Sequence, residues 1–263
     1  MEVRPQKING MTKVIAVASQ KGGVGKTTTT VNLASCLAQE NRRVLIVDVD
    51  PQGNATSAVG INGNDRPHTI YEVLIGQSDL RQAILPTALA NLDLVPAGQS
   101  LSGAEIEMVD IPGRESRLRE CLDAVRNEYD YIYVDSPPSL GLLTVNALTA
   151  ADSVLIPLQC EYLALEGLTQ LLGAIRRVQE KLNPGLRIEG VLLTMFDARL
   201  NLSQQVADEA RKFFSERVYR SVIPRNVKLS EAPSFGKPIV LYDPHSTGAD
   251  SYRELAREVL EHA

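Results

Sequence analysis

A chain of 263 residues, 44% hydrophobic and 22% charged, has enough apolar material for a full core beneath an ordinary soluble surface. No apolar run approaches the about eighteen residues of a transmembrane helix, and the first residues lack the apolar centre of a secretory signal. Three cysteines without C-x-x-C spacing, Cys36, Cys121 and Cys160, argue for reduced thiols and against a disulfide framework or metal site.

Residues 1–11 carry charges, Pro5 and little periodicity, so they read as a flexible tail before a single domain, 12–263. Val14–Ala18 is a short apolar run that reads as a buried parallel strand. Behind it comes Gln20-Lys21-Gly22-Gly23-Val24-Gly25-Lys26-Thr27-Thr28, and then Thr30–Gln39 with apolar residues at helical spacing. Strand, glycine-rich turn and helix are what a phosphate loop requires. Backbone N–H groups close around phosphate oxygens, the helix N-terminus adds its positive end, and Lys26 reaches the β- and γ-phosphates. The hydroxyl of Thr27 is the candidate ligand for Mg²⁺. The usual spacing, G-x-x-x-x-G-K-[ST], would put a glycine at position 20; this chain has Gln20 there and a second lysine, Lys21, beside it.

Arg43–Val47 reads as a second buried strand ending on Asp48-Val49-Asp50-Pro51-Gln52-Gly53. Ligands of open α/β sheets bind outside the carboxyl ends of the strands, so this acidic turn should face the phosphate loop. Asp50 is the candidate to position the attacking water or join the Mg²⁺ shell, and Asp48 the one to support the turn; strand-end carboxylates also cap following helices. Residues 54–91 are polar, with short helical pieces at Ile70–Ile75 and Leu80–Leu85, and Leu92–Pro96 is a third strand. Glu115–Glu128 has the spacing of an amphipathic helix. Tyr131–Val134 is apolar and closes on Asp135, the form of a Walker B strand whose carboxylate holds Mg²⁺ directly or through water.

Ser153–Leu158, Ile188–Thr194 and Ser221–Ile223 read as strands; Leu165–Leu182, Leu202–Phe214 and Gly248–Glu261 read as helices. Alternation of this kind predicts an α/β fold, a single-domain P-loop NTPase-like unit with a mostly parallel twisted sheet and helices on both faces. Net charge is −5, which weighs against wholesale nucleic-acid binding, yet Phe196–Lys237 carries eight Lys/Arg against five Asp/Glu. A basic segment on an acidic chain is the footprint of a local anionic partner or simply a solvated surface.

Taken together, the phosphate loop, the Asp48–Gly53 turn and Asp135-Ser136-Pro137-Pro138 resemble the ParA/Soj family of chromosome and plasmid partitioning ATPases, in the ParA/MinD group with a deviant Walker A motif. The likeness runs on through Pro157–Tyr162, Glu166–Leu168, Val222–Val227 and Ser230–Ser234. The resemblance implies an ATP- and Mg²⁺-dependent ATPase in which Lys21 crosses a nucleotide-sandwich dimer to the partner's ATP. It implies that Lys26 binds phosphate, Thr27 and Asp135 serve Mg²⁺, Asp50 orients the hydrolytic water, and Pro224 and Asn226 contact adenine. It further implies non-specific binding of double-stranded DNA by the ATP-bound dimer through Arg199 and Lys228, with Arg225, Arg211 and Lys212 as neighbours. A centromere-binding ParB-type protein would stimulate hydrolysis, and the protein would be cytoplasmic and nucleoid-associated, with no membrane partner. With only a short stretch before the first strand, no operator-reading helix-turn-helix module is expected. The rival expectations are a MinD-like membrane-associated cell-division ATPase, which needs a basic amphipathic C-terminal helix, and a metabolic ATPase or reductase on the same scaffold.

Overall fold

The computed structural model describes residues 12–161 and 164–261. The expected tail, 1–11, and Tyr162 lie outside the described residues. Seven strands, β1 (Lys13–Val17), β2 (Val44–Asp48), β3 (Leu85–Pro86), β4 (Leu92–Val95), β5 (Tyr131–Asp135), β6 (Ser153–Gln159) and β7 (Arg187–Thr194), form one sheet. Their spatial order is β3-β4-β2-β5-β1-β6-β7, with every pairing parallel except the short antiparallel β3–β4 edge.

The strands are apolar on both faces because both faces are covered. Alternate residues divide between two cores: Ile15, Val17, Ile46 and Tyr133 pack into one, and Val14, Ala16, Val47 and Val134 into the other. The first core is covered by helices α1 (Lys26–Gln39) and α2 (Asn54–Ala58) and by three later helices, α10, α11 and α12, described below. The second lies under α3 (Ile70–Leu74), α4 (Leu80–Ala83), α5 (Leu101–Glu107), α6 (Arg117–Asp123), α7 (Leu142–Ala150), α8 (Ala164–Lys181) and α9 (Asn201–Phe214). The chain closes with α10 (Val227–Glu231), α11 (Ile239–Tyr242) and α12 (Thr247–Glu261).

Helix α1 matters most for the site. Leu33, Ala34 and Leu37 are fully buried between the sheet and α12, and the Thr29 hydroxyl meets the buried Tyr252 hydroxyl at 3.2 Å. Each fully buried leucine contributes about 1.5–3 kcal/mol, so α1 is fixed along its length and its N-terminus is a rigid point.

Three of the elements that differ from the sequence reading have a plain physical reason. Ser221–Ile223 is not a strand. Tyr219 and Ile223 N–H groups do bond to Val191 and Leu193 of β7, but those of Arg220 and Ser221 turn away to the Glu258 carboxylate at 2.7 and 2.9 Å. Two residues are thereby looped out and the ladder cannot form. The expected helix at Glu115–Glu128 is α only over Arg117–Asp123; beyond it, three-residue turns take over, with Val125 N–H on Leu122 and Glu128 N–H on Val125. Helix α7 has no counterpart in the reading, because Leu-Leu-Thr-Val-Asn-Ala-Leu-Thr-Ala is apolar around most of its circumference and shows no stripe.

Candidate functional site

The loop between β1 and α1 leaves the sheet at its centre, where β5 and β6 flank β1 on opposite sides. Gly23 and Gly25 take left-handed backbone at φ 75° and 89°, which a side-chain-bearing residue adopts at a cost. No side chain caps α1 and no acidic residue stands in its first turn, so its N–H groups and positive end are open to an anion. Two hydroxyls from the ends of other strands hold the loop and the strand end before it: Thr194 donates to Val24 O and Ser136 to Val17 O, each at 2.8 Å.

Asp135 is wholly buried at the end of β5. It accepts from the Thr27 hydroxyl at 2.7 Å and from the Thr30 hydroxyl at 2.9 Å. Burial raises its pKa, against the pull of those two hydroxyls and of Lys26. Lys26 is 7% exposed; burial lowers its pKa, opposed by the charges of Asp135 and Asp50. Lys26 and Asp135 therefore hold each other charged in a place that disfavours charge, while the charge of Asp50 works against that of Asp135.

Asp48 and Asp135 are register partners on β2 and β5. Asp48 is fully buried and accepts from Thr56 N–H (2.8 Å), the Thr56 hydroxyl (2.7 Å) and Asp50 N–H (3.1 Å). Burial first, and then the charge of Asp135, push its pKa up. Its carboxylate is thus consumed in holding the turn. Asp50 is placed by that turn; its Oδ1 accepts Gln52 N–H at 3.0 Å, and its side chain lines the cavity above the phosphate loop.

That cavity has a volume of about 550 Å³. Gly22, Gly23, Gly25, Lys26, Thr27 and Thr28 line it, with Asp50 and Pro138 from strand ends and Gln52, Asn54 and Ser57 from the acidic turn and α2. Its remaining wall is the segment from Ala232 to Pro238, with Met195 from the end of β7. The sequence reading did not include this wall, nor Asn32, which secures it. Asn32 donates to Thr28 O at 2.8 Å and accepts Ile239 N–H at 2.7 Å, fastening the wall to α1. Gly60 and Gly236 meet so closely that an added Cβ would lie 2.8–2.9 Å from backbone. Nothing local in the sequence marks the contacts of Asn32 with Ile239 and of Gly60 with Gly236, since each joins distant parts of the chain. Val24 is buried and supports the loop through its carbonyl.

Several predicted residues lie elsewhere. Lys21 does not line the cavity; its ammonium is 3.3 Å from Glu161, at the end of β6. Pro224 pairs with Phe196 beyond the end of β7. The Asn226 side chain caps α10 by accepting Lys228 and Leu229 N–H groups at 2.8 and 3.2 Å, and donates to the Thr247 hydroxyl at 2.7 Å. Neither lines the cavity.

The candidate anion-binding cations are exposed, and four of them have an acidic neighbour. Arg199 grips Asp197 with two bonds of 2.7 and 2.9 Å, which pull the Asp197 pKa down to about 2. Arg225 lies 3.5 Å from Glu161, and Lys228 2.8 Å from Glu231. Arg211 is 3.7 Å from Asp208. Lys212 stands beside Phe213 on the outer edge of α9, along a separate groove between α8 and α9. Cys36 and Cys160 are buried and Cys121 half-buried; all three thiols are free, and no group of metal-holding side chains occurs among the described residues. Among the described residues no helix is long and apolar enough to cross a membrane.

Comparison with known proteins agrees with this geometry. A family model described as an AAA domain matches residues 12–188. The chain is 60% identical over 249 residues to the sporulation initiation inhibitor protein Soj of Bacillus subtilis, covering 95% of this chain and 98% of that protein. It is 55% identical to the chromosome partitioning protein ParA of Myxococcus xanthus, covering 95% and 88%. Among solved structures, the cobyrinic acid a,c-diamide synthase of Mycobacterium smegmatis with bound ADP and magnesium superposes with a TM-score of 0.84 at 39% identity, over 96% of this chain and 95% of that one.

Proposed function

Because this chain belongs to the Soj/ParA family of chromosome-partitioning ATPases, we propose that it is an ATP-driven switch for DNA segregation: ATP assembles a dimer, the dimer holds DNA, and hydrolysis releases it. The observation that carries the proposal is the separation of the two loop lysines. Lys26 and Thr27 line the cavity, with the buried Asp135 against Thr27, while Lys21 stands outside it beside Glu161. One lysine serves the chain's own phosphates, leaving the other for a second subunit. Two bound triphosphates brought face to face repel unless cations come between them, and one lysine from each subunit offsets that charge.

In the reaction, water attacks the γ-phosphorus in line, the bond to the β–γ bridging oxygen breaks, and ADP and phosphate leave. Asp50 orients the water, on a turn that Asp48 keeps rigid. Lys26, the N–H groups of the loop and Lys21 of the second subunit stabilise charge gathering on the phosphoryl oxygens. Mg²⁺ suits the donors here: the Thr27 hydroxyl donates a hydrogen bond to Asp135, which leaves the hydroxyl's lone pairs for a hard cation. When bound, the cation neutralises phosphate charge.

DNA binding is assigned to Arg199, Arg225 and Lys228, with Arg211 and Lys212 beside them. Their side chains are exposed, and dimer formation doubles the number of phosphate contacts without a rearrangement inside each subunit. The partner that accelerates hydrolysis is a ParB-type centromere-binding protein, and DNA binding places the ATP form on the nucleoid.

The test is binding to random-sequence duplex DNA with ATP, with ADP and without nucleotide, across a salt series, alongside sedimentation of each form. Binding confined to an ATP-dependent dimer, and weakening steeply with salt, is the expected result. Equal binding in all three states, or a monomer that binds as well as the dimer, would overturn the switch.

A further inference from the structure

Among the described residues, four other than glycine hold left-handed backbone: Asn41, Asn91, Met195 and Ser215. Asn41 and Asn91 close turns before β2 and β4, where asparagine tolerates this conformation, and Ser215 ends α9. Met195 is of another kind. It has φ 50°, no polar side chain to compensate locally, and a side chain that lines the same cavity as the phosphate loop. Backbone held in a sparsely populated region at the wall of a ligand site points to a task at that site.

The conformation is enforced from both sides. Before it, Thr194 is fixed by its hydroxyl on Val24 O and by its carbonyl, which accepts Cys160 N–H at 3.2 Å. After it, Phe196 N–H bonds to Ile223 O at 3.1 Å, and Phe196 O accepts Arg225 N–H at 3.3 Å. With both neighbours tied, the chain reverses its facing within one residue. The methionine then stands at a set position relative to the phosphate loop, because Thr194 is hydrogen-bonded to that loop directly.

The chemistry of the cavity divides along its length. Gly22 to Thr28 present N–H groups, a lysine and hydroxyls to phosphate. The stretch with Met195, Ala232, Pro233 and Pro238 offers apolar surface, with Ser234 and Lys237 beside it. A half-buried thioether in that stretch is adaptable and polarizable, and sulfur packs well on a flat aromatic ring.

We propose that Met195 is the platform for the nucleobase of the bound nucleotide, and that it sets a preference for the larger purine face over a pyrimidine. The inference rests on the reading of the cavity as the ATP site and adds a base-holding residue to it. Thr194 then indexes base and phosphates to a single strand end.

The experiment titrates Mg-ATP, Mg-UTP and Mg-tripolyphosphate into the parent protein, Met195→Gly and Met195→Leu, with a thermal melt of each. Glycine accepts the backbone that methionine is forced into, so Met195→Gly should melt within about 3 °C of the parent. Its ATP affinity should fall about five- to tenfold, its preference for ATP over UTP should shrink, and its tripolyphosphate affinity should stay unchanged. Met195→Leu, which keeps the apolar volume, should bind ATP within about twofold of the parent. Parent-like ATP affinity in Met195→Gly would overturn the platform. A joint loss of ATP and tripolyphosphate would do so too, since it would mean damage to the phosphate loop. A parent protein that binds neither ligand would remove the ATP reading itself and the platform with it.

Discussion

The phosphate end of the sheet and the outer basic face use ionised groups in opposite ways. At the phosphate end, Asp48, Asp135 and Lys26 are buried, each is hydrogen-bonded or held by opposite charge, and burial works against the charge of all three. On the outer face, Arg199, Arg225 and Lys228 are 88, 67 and 46% exposed at the side chain, and each rests against a carboxylate. Buried charges are expensive to strand, whereas exposed pairs are worth about 0–1 kcal/mol and exchange partners readily. A region that must keep one geometry is therefore built from the first kind. The second kind suits the proposed DNA-binding face, where a polyanion would be taken up and let go.

The largest effect should come from Lys26→Ala. ATP affinity measured by calorimetry should drop by about a hundredfold, the ~3 kcal/mol of a charged hydrogen bond to phosphate. A loss below about threefold would mean that this lysine does not hold the phosphates. Next is Asp48→Ala, which strands the Thr56 and Asp50 N–H groups and the Thr56 hydroxyl. Chemical denaturation should show a loss of about 2–4 kcal/mol, and turnover should fall with it because Asp50 loses its support. Stability equal to the parent would place the rigidity of the turn elsewhere.

On the outer face the expected changes are smaller. Arg199→Glu should weaken DNA binding by the ATP form about tenfold at low salt and lessen the salt slope by about one phosphate contact per subunit, with dimerisation unchanged. Wild-type affinity would remove Arg199 from the patch. The smallest effect is local. Arg199→Ala should move the Asp197 carboxyl titration, followed by NMR, from about 2 back toward ~3.9. The sign follows from linkage: a carboxylate with a depressed pKa adds stability above its unfolded pKa and loses it as pH falls through the folded one. The Asp197–Arg199 pair should thus persist at pH 4 and dissolve only near pH 2. A titration that stays near 2 in the variant would separate the two residues.

How legible each region was in the sequence follows the same division. Strand β5 has the bounds that its apolar run predicts, because a strand buried on both faces leaves a plain signature. The phosphate loop was legible because its chemistry demands glycines, a lysine and a threonine at set spacing. Helix α1 begins at Lys26 rather than Thr30, since Lys26 to Thr29 carry no apolar stripe and are recruited by the geometry of the loop. The supporting role of Asp48 and the forward position of Asp50 could be read from their order alone. What escaped depends on partners distant in sequence. Asn32 gives no sign that it secures Ile239; Met195 carries no mark of its backbone; Ser221 has the composition of a strand but loses its ladder to Glu258. Asn226 likewise gave no sign of its structural part, for its amide is engaged at both ends in capping α10 and holding Thr247.

The two strand-end hydroxyls that pin the phosphate loop carry a thermodynamic consequence. Thr194 and Ser136 bond to Val24 and Val17 within the fold itself, so part of the loop's conformational entropy is surrendered when the chain folds. A nucleotide then meets a receptor that needs little ordering, and more of its interaction energy survives as affinity. The loop is irregular in shape, yet in its freedom it belongs to the sheet.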